Sequence, residues 1–84
     1  MGEMNEREIH AASTDELEQL TRDIVDELAG RSSPEAFSSL LALSRHIGER
    51  IGTSAQQLSA TMSWAQIGNL AGTSRQNAWA RWNS

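Results

Sequence analysis

The stretch Ser63–Trp82, SWAQIGNLAGTSRQNAWARW, decides the fold. Ser63-Trp64-Ala65-Gln66 sets a serine three residues ahead of a glutamine. In that pattern the hydroxyl accepts from the Gln66 amide while the glutamine side chain accepts from the amide of Ser63. It opens a short helix reaching about Leu70. Ala71-Gly72-Thr73 reads as a three-residue turn, in which Gly72 supplies the positive φ that a sharp reversal between helices needs. Ser74 then caps a second helix running to about Trp82. The C-terminal end is therefore expected to be a helix-turn-helix, and with two residues after Trp82 no β-wing is expected to follow it.

Working outward, the chain ahead of this pair also reads as helical. Ser33-Pro34 starts a long central helix, with Ser33 as cap and Pro34 in the first turn, where its missing amide costs nothing. Phe37, Leu41, Ser44, Gly48, Ile51, Ala55, Leu58 and Met62 follow at alternating steps of four and three, a seam of heptad type. Leu40, Leu43 and Ile47 widen it. Two readings of this helix stay open. It either runs unbroken to Ala60, roughly 40 Å at 1.5 Å per residue, or it breaks near Gly52-Thr53-Ser54, with Ser54 capping a short helix to Ala60. Glycines at 48 and 52 each weaken a helix interior by about 1 kcal/mol relative to alanine, which keeps the break open as an alternative.

Further upstream, Ser13 and Glu16 form a capping box. Leu17, Leu20, Ile24 and Leu28, with Val25 beside them, make one apolar stripe. Gly30 is expected to end this N-terminal helix in a left-handed conformation. Residues 1–12 are polar and without sustained period, and are expected to be a flexible tail. The sequence thus predicts an all-α fold with a single helical domain over residues 13–84: an N-terminal helix, a long central helix that is continuous or broken, and the helix-turn-helix at 63–82.

Length and composition narrow the function. Eighty-four residues with no cysteine and three tryptophans must build a small core without disulfide or thiolate-metal support, near the size at which one core is only marginally sufficient. Self-association is expected, through the central helix, where Ser44 and Gly48 let a second copy approach closely. The first reading of the seam itself is packing within the chain against the N-terminal helix and the C-terminal pair, and the two readings are compatible, since a long helix has more than one face. No apolar run reaches the length of a membrane span, and MGEMNEREIH lacks the apolar region of a signal peptide, so a cytoplasmic protein with no membrane partner is expected.

The net charge of −4 argues against nucleic acid as a partner, but it is unevenly spread. Residues 1–46 hold ten acidic groups against Arg7, Arg22, Arg31 and Arg45, a balance of −6. Residues 47–84 hold Arg50, Arg75 and Arg81 against Glu49, a balance of +2. Any phosphate-facing surface belongs to the second part, and its electrostatic drive is weak.

IGNLAGTSRQNAWARW resembles a bacterial helix-turn-helix pattern common in small actinobacterial regulators, Ile-Gly-x-x-Leu-Gly-Val-Ser-Arg-Gln-x-Ala-x-x-Arg followed by an aromatic residue. Ser63-Trp64-Ala65 is similar to the usual lead-in, and Ile67, Gly68, Gly72, Ser74, Arg75, Gln76, Ala78, Arg81 and Trp82 match. The likeness covers about a quarter of the chain, and the all-arginine basic set fits a GC-rich coding sequence. Leu70-Ala71 departs from the usual Ala-Leu, and Thr73 from the usual valine. Both departures thin the apolar contact inside the turn.

The resemblance implies double-stranded DNA as the partner, with the start of the second helix in the major groove. Arg75 suits a guanine edge and Gln76 an adenine edge. Thr73 and Ser74 offer hydroxyls, and the free amides at the helix starts behind Ser63 and Ser74 suit phosphates. Trp79 reads either as a groove contact or as packing, and Arg81 as a phosphate contact or an ion-pair partner. Asn77 is a further candidate, or a support of the helix start. Trp64 and Trp82 read as core. The implied function is a small dimeric regulator of transcription.

The alternative is a protein-interaction module, an adaptor or regulator of a transcription factor, using the acidic and apolar helix faces. A phage packaging or plasmid partition component is a third reading and also uses DNA. No phosphate loop, metal-ligand cluster or nucleophile elbow occurs. His10 and His46 read as solvated or capping residues, so neither enzymatic activity nor a cofactor is expected.

Overall fold

The computed structural model describes residues 4–83, and every regular element in them is an α-helix. The order is α1 (Glu6–Ala11), α2 (Thr14–Gly30), α3 (Pro34–Leu58), α4 (Trp64–Ala71) and α5 (Arg75–Trp82). The chain divides into two compact units, Met1–Leu41 and Ala42–Ser84. The division lies inside α3, within the span read from sequence as one domain.

Local chemistry fixes where the helices begin. Ser13 Oγ accepts from the amide of Glu16 at 3.1 Å, and Glu16 accepts in return from the amide of Ser13. Ser33 Oγ accepts from the amide of Ala36 at 3.1 Å. The segment expected to be a flexible tail contains α1, because Asn5 Oδ1 accepts from the amide of Glu8 at 2.9 Å and Glu6 and Glu8 lie in the first turn. Acids there complement the positive end of the helix dipole.

In the first unit Leu17, Leu20, Val25 and Leu28 of α2 are half-buried, as are Ser33 and Leu40, while Ala36 is buried. Ile24 lies in the middle of the same stripe and is exposed. Glu18–Arg22 and Glu27–Arg31 are exposed ion pairs one turn apart on α2 and its C-cap, a type that contributes little stability.

Gly30 does not end α2 in the expected way. It is the last helical residue, and Arg31 behind it is extended, with φ −90° and ψ 110°. The need to form the next cap is the reason. Arg31 donates to the Leu28 carbonyl, Ser33 donates to the Arg31 carbonyl, and Ser33 must already be placed to cap a helix with proline in its first turn. An extended step reaches that position without a left-handed residue, and the one positive φ among the described residues is at Gly72.

The second unit takes the rest of α3 together with α4 and α5. The helix does not break at Gly52. Thr53 Oγ1 bonds the Glu49 carbonyl at 3.3 Å, inside the helix, and Gly52 forms a flat place for the Trp82 indole. A Cβ on Gly52 would lie 3.6 Å from Trp82 Cδ1, at ordinary contact distance. The helix ends at Leu58, two residues before Ala60, in turn-type bonds from Ala60, Thr61 and Met62. Ser59 Oγ donates to the Gln56 carbonyl there.

The core of this unit is small. Ala55, Ile67, Gly68 and Ala78 are buried, and Met62, Trp64, Thr73 and Trp82 are half-buried around them. Both expected core tryptophans, Trp64 and Trp82, therefore shield the core from its edge. No large side chain among the described residues is fully buried.

Candidate nucleic-acid interface

The α4–α5 pair is held by its turn. Ser63 and Gln66 complete the reciprocal cap, with the Gln66 amide donating to Ser63 Oγ at 3.1 Å and the Ser63 amide donating to Gln66 Oε1 at 2.9 Å. At the other end of α4, Gly72 has φ +70° and ψ 29°. Its amide reaches the Asn69 carbonyl, and the Thr73 amide reaches the Gly68 carbonyl at 2.8 Å. This is the paired-bond ending in which a left-handed residue closes off the last carbonyls of a helix.

Gly68 has a second reason to be glycine. A Cβ on it would lie 2.8 Å from the Thr73 carbonyl oxygen and 2.9 Å from that of Ser74. The backbone entering α5 therefore crosses directly over the middle of α4. Ser74 Oγ accepts from the amide of Asn77 at 3.1 Å, and Ala78, one turn on, is wholly buried. At the far end, the Gln56 side-chain amide of α3 donates to the Trp82 carbonyl at 3.0 Å.

Arg75 and Gln76 open α5 exposed, and neither side chain has a hydrogen bond or ion pair among the described residues. Thr73 is half-buried, while Ser63, Ser74 and Asn77 are exposed; Ser63 and Ser74 use their hydroxyl oxygens as caps and Asn77 its amide. Trp79 stands 51% exposed, one turn after Arg75 on the same helix. Arg81 stacks its guanidinium over the Trp82 ring, 5.4 Å from the centroid, which is the range of a cation–π contact. The turn thus brings Thr73, Ser74, Arg75, Gln76 and Asn77 together, with Trp79 following, and Arg81 is drawn towards Trp82.

Comparison of the chain with known protein families, with curated proteins and with solved structures finds no match.

Charge follows the two units more sharply than it follows the sequence halves. Met1–Leu41 carries ten acids against Arg7, Arg22 and Arg31, or −7. Ala42–Ser84 carries Arg45, Arg50, Arg75 and Arg81 against Glu49, or +3. The unit that holds α5 is thus the one with a positive balance. Among the described residues no group of three or more His, Cys, Asp or Glu side chains could hold a metal ion. No helix among them is long and apolar enough to cross a membrane.

Sequence reasoning missed one feature of this unit. Ile51, Ala55 and Leu58 of α3, Ile67 and Leu70 of α4, and Trp82 line an open apolar groove of about 230 Å3. Leu70 is 72% exposed at its edge. The signal was the Leu70-Ala71 departure, which sets a small side chain on the groove wall.

Proposed function

We propose that the chain is a sequence-specific double-stranded-DNA-binding protein, a small transcriptional regulator of the bacterial cytoplasm. It acts as a dimer through the central helix, and α4 and α5 work as a helix-turn-helix with the start of α5 in the major groove. The observation that carries this reading is the exposed, unpartnered Arg75–Gln76 pair on a helix start that is fixed three times: by the Gly68–Thr73 approach, by the Ser74 cap and by buried Ala78. Side chains that read base edges need such rigid placement, and a bidentate arginine or glutamine contact discriminates by about 1–3 kcal/mol.

The remaining roles follow from position. The first-turn amides of α4 and α5 meet phosphates alongside Ser63, Thr73 and Ser74. Asn77 and Trp79 extend the contact along the groove. The second unit has a balance of only +3, so one copy binds weakly and two half-sites are needed. The protein binds and does not catalyse.

The test is retention of random genomic fragments at two salt concentrations by the wild type and by Arg75→Ala/Gln76→Ala. Salt-sensitive, sequence-enriched retention that the double variant loses is expected. No retention by folded wild type at low salt would falsify the reading. In that event the alternative takes its place, a protein-interaction module, favoured by the −7 charge of the first unit and by exposed Leu70 and Trp79.

A further inference from the structure

The first unit exposes an apolar trough with an acidic edge. Ile24, 52% exposed, stands in the middle of the α2 stripe between half-buried Leu20 and Leu28. These three line an open depression of about 540 Å3 together with Asp23, Glu27 and Arg31. A second depression, of about 420 Å3, shares Leu28 and Arg31 with it and continues to Phe37, which is 64% exposed. All of these residues belong to Met1–Leu41. Contiguous exposed apolar surface rimmed by polar groups is characteristic of an interaction site.

Charge selects the occupant. At about 100° per residue, Glu16, Asp23 and Glu27 fall within about 40° of one another, on the side of α2 next to Leu20 and Ile24. All three are exposed, and the row they form runs about 16 Å, or three helical turns. Asp23 accepts from the Gln19 side-chain amide at 2.8 Å, which leaves its charge in place. Glu27 lies 3.5 Å from Arg31, an exposed ion pair and therefore a weak one. Three carboxylates thus stand against one guanidinium along the trough, in a unit whose balance is −7. A second copy of the unit brings that same charge to the surface, and nucleic acid and anionic lipid are repelled for the same reason. Like charges set against each other at an interface are costly, whereas a basic partner gains from the apolar floor and the acidic edge together.

We propose that the α2 trough of the first unit docks an amphipathic helix of another protein, its large apolar side chains over Leu20, Ile24 and Leu28 and its basic edge along Glu16, Asp23 and Glu27. Recognition of a helix in a groove uses anchors at i, i+3 or i+4, and i+7, the spacing that the apolar stripe of α2 itself presents. The acids set the spacing of the partner's basic residues: i, i+7 and i+11 for a parallel helix, and i, i+4 and i+11 for an antiparallel one. The site uses residues of the first unit alone and is separate from the contact proposed for α5.

The test is fluorescence anisotropy of two labelled helical peptides, each long enough to span the trough, titrated with the full chain. Each carries a leucine stripe and arginines at one of the two spacings. One of the pair is expected to bind at micromolar concentrations, and its counterpart with glutamates in place of the arginines is expected not to bind. Ile24→Gln, at an exposed position, is expected to weaken binding about tenfold with unchanged far-ultraviolet circular dichroism. Asp23→Asn/Glu27→Gln is expected to weaken it about tenfold as well. Asp15→Asn/Asp26→Asn removes the same charge from the other side of α2 and is expected to change the affinity by less than about twofold. Failure of the wild type to bind either peptide at several hundred micromolar overturns the proposal. So does equal weakening by the two acidic double variants, which reduces the effect to overall charge, and so does an Ile24→Gln variant that binds as the wild type does. Sedimentation of the chain alone completes the test: a dimer that Ile24→Gln dissociates means that a second copy covers the trough, and overturns the proposal too.

Discussion

A methyl group on Gly68 would sit 2.8 Å from the carbonyl oxygen of Thr73. The obstacle is backbone, held by the bond from the Thr73 amide to the Gly68 carbonyl and by the Ser74 cap, so it cannot turn aside as a side chain would. Gly68→Ala is expected to cost about 1–3 kcal/mol in urea denaturation, the range of other overpacked sites. It is also expected to weaken DNA retention while the protein is still folded, because it displaces the start of α5. A midpoint equal to that of the wild type would mean that the backbone entering α5 does not press on Gly68.

Gly72 is constrained by its dihedral and not by space. Its φ of +70° is open to glycine, tolerable for asparagine and strained for alanine, and nothing lies near the position of an added Cβ. Thermal stability should fall in the order Gly, Asn, Ala, with Gly72→Ala losing about 1–2 kcal/mol. An alanine variant that melts above the asparagine variant would show that the turn can close without a left-handed residue.

The contrast between these glycines and the others explains how much the sequence disclosed. Caps were legible because each rests on contacts within four residues: Ser13 with Glu16, Ser33 with Ala36, Ser63 with Gln66, Ser74 with Asn77. Gly72 was legible for the same reason. Gly30 and Gly52 were not, because their conformations depend on what lies beyond. The extended step to Ser33 removes the need for a left-handed Gly30, and Gly52 lies inside an unbroken α3 with Trp82 Cδ1 3.6 Å from where its Cβ would stand. The Asn5 cap was present in the sequence but has no apolar period behind it to draw attention. The two-unit division falls inside an uninterrupted helix, with no proline or glycine linker to mark it. Periodicity also tells which residues share a face without telling whether anything covers it, and so spacing alone does not separate the two readings of Phe37 and Leu41.

Arg75 and Arg81 sit on one short helix but should behave differently. Arg75 is free and is assigned to base edges, so Arg75→Ala should relax sequence preference, with a loss of about 1–3 kcal/mol confined to the preferred site. Arg81 is held over Trp82 and is assigned at most to a phosphate. Arg81→Gln should weaken binding to all sequences alike and reduce the salt dependence by roughly one contact per copy. Titrations at several salt concentrations, on an enriched site and on an unrelated duplex, separate the two. Equal effects of both substitutions on both duplexes would place Arg75 on the backbone as well.

Leu70 tests whether the groove is core or interface. At 72% exposure it contributes little to the folded monomer, so Leu70→Gln, which keeps a good helix former, should change the stability of dilute protein by no more than about 0.5 kcal/mol. If a second copy covers the groove, the same substitution puts an amide against an apolar surface and weakens the dimer. Denaturation at low micromolar concentration should then be nearly unchanged, while the concentration dependence of the midpoint diminishes. A loss of about 2 kcal/mol or more in dilute solution would instead be the signature of a buried leucine, and would mean that the groove closes within a single chain.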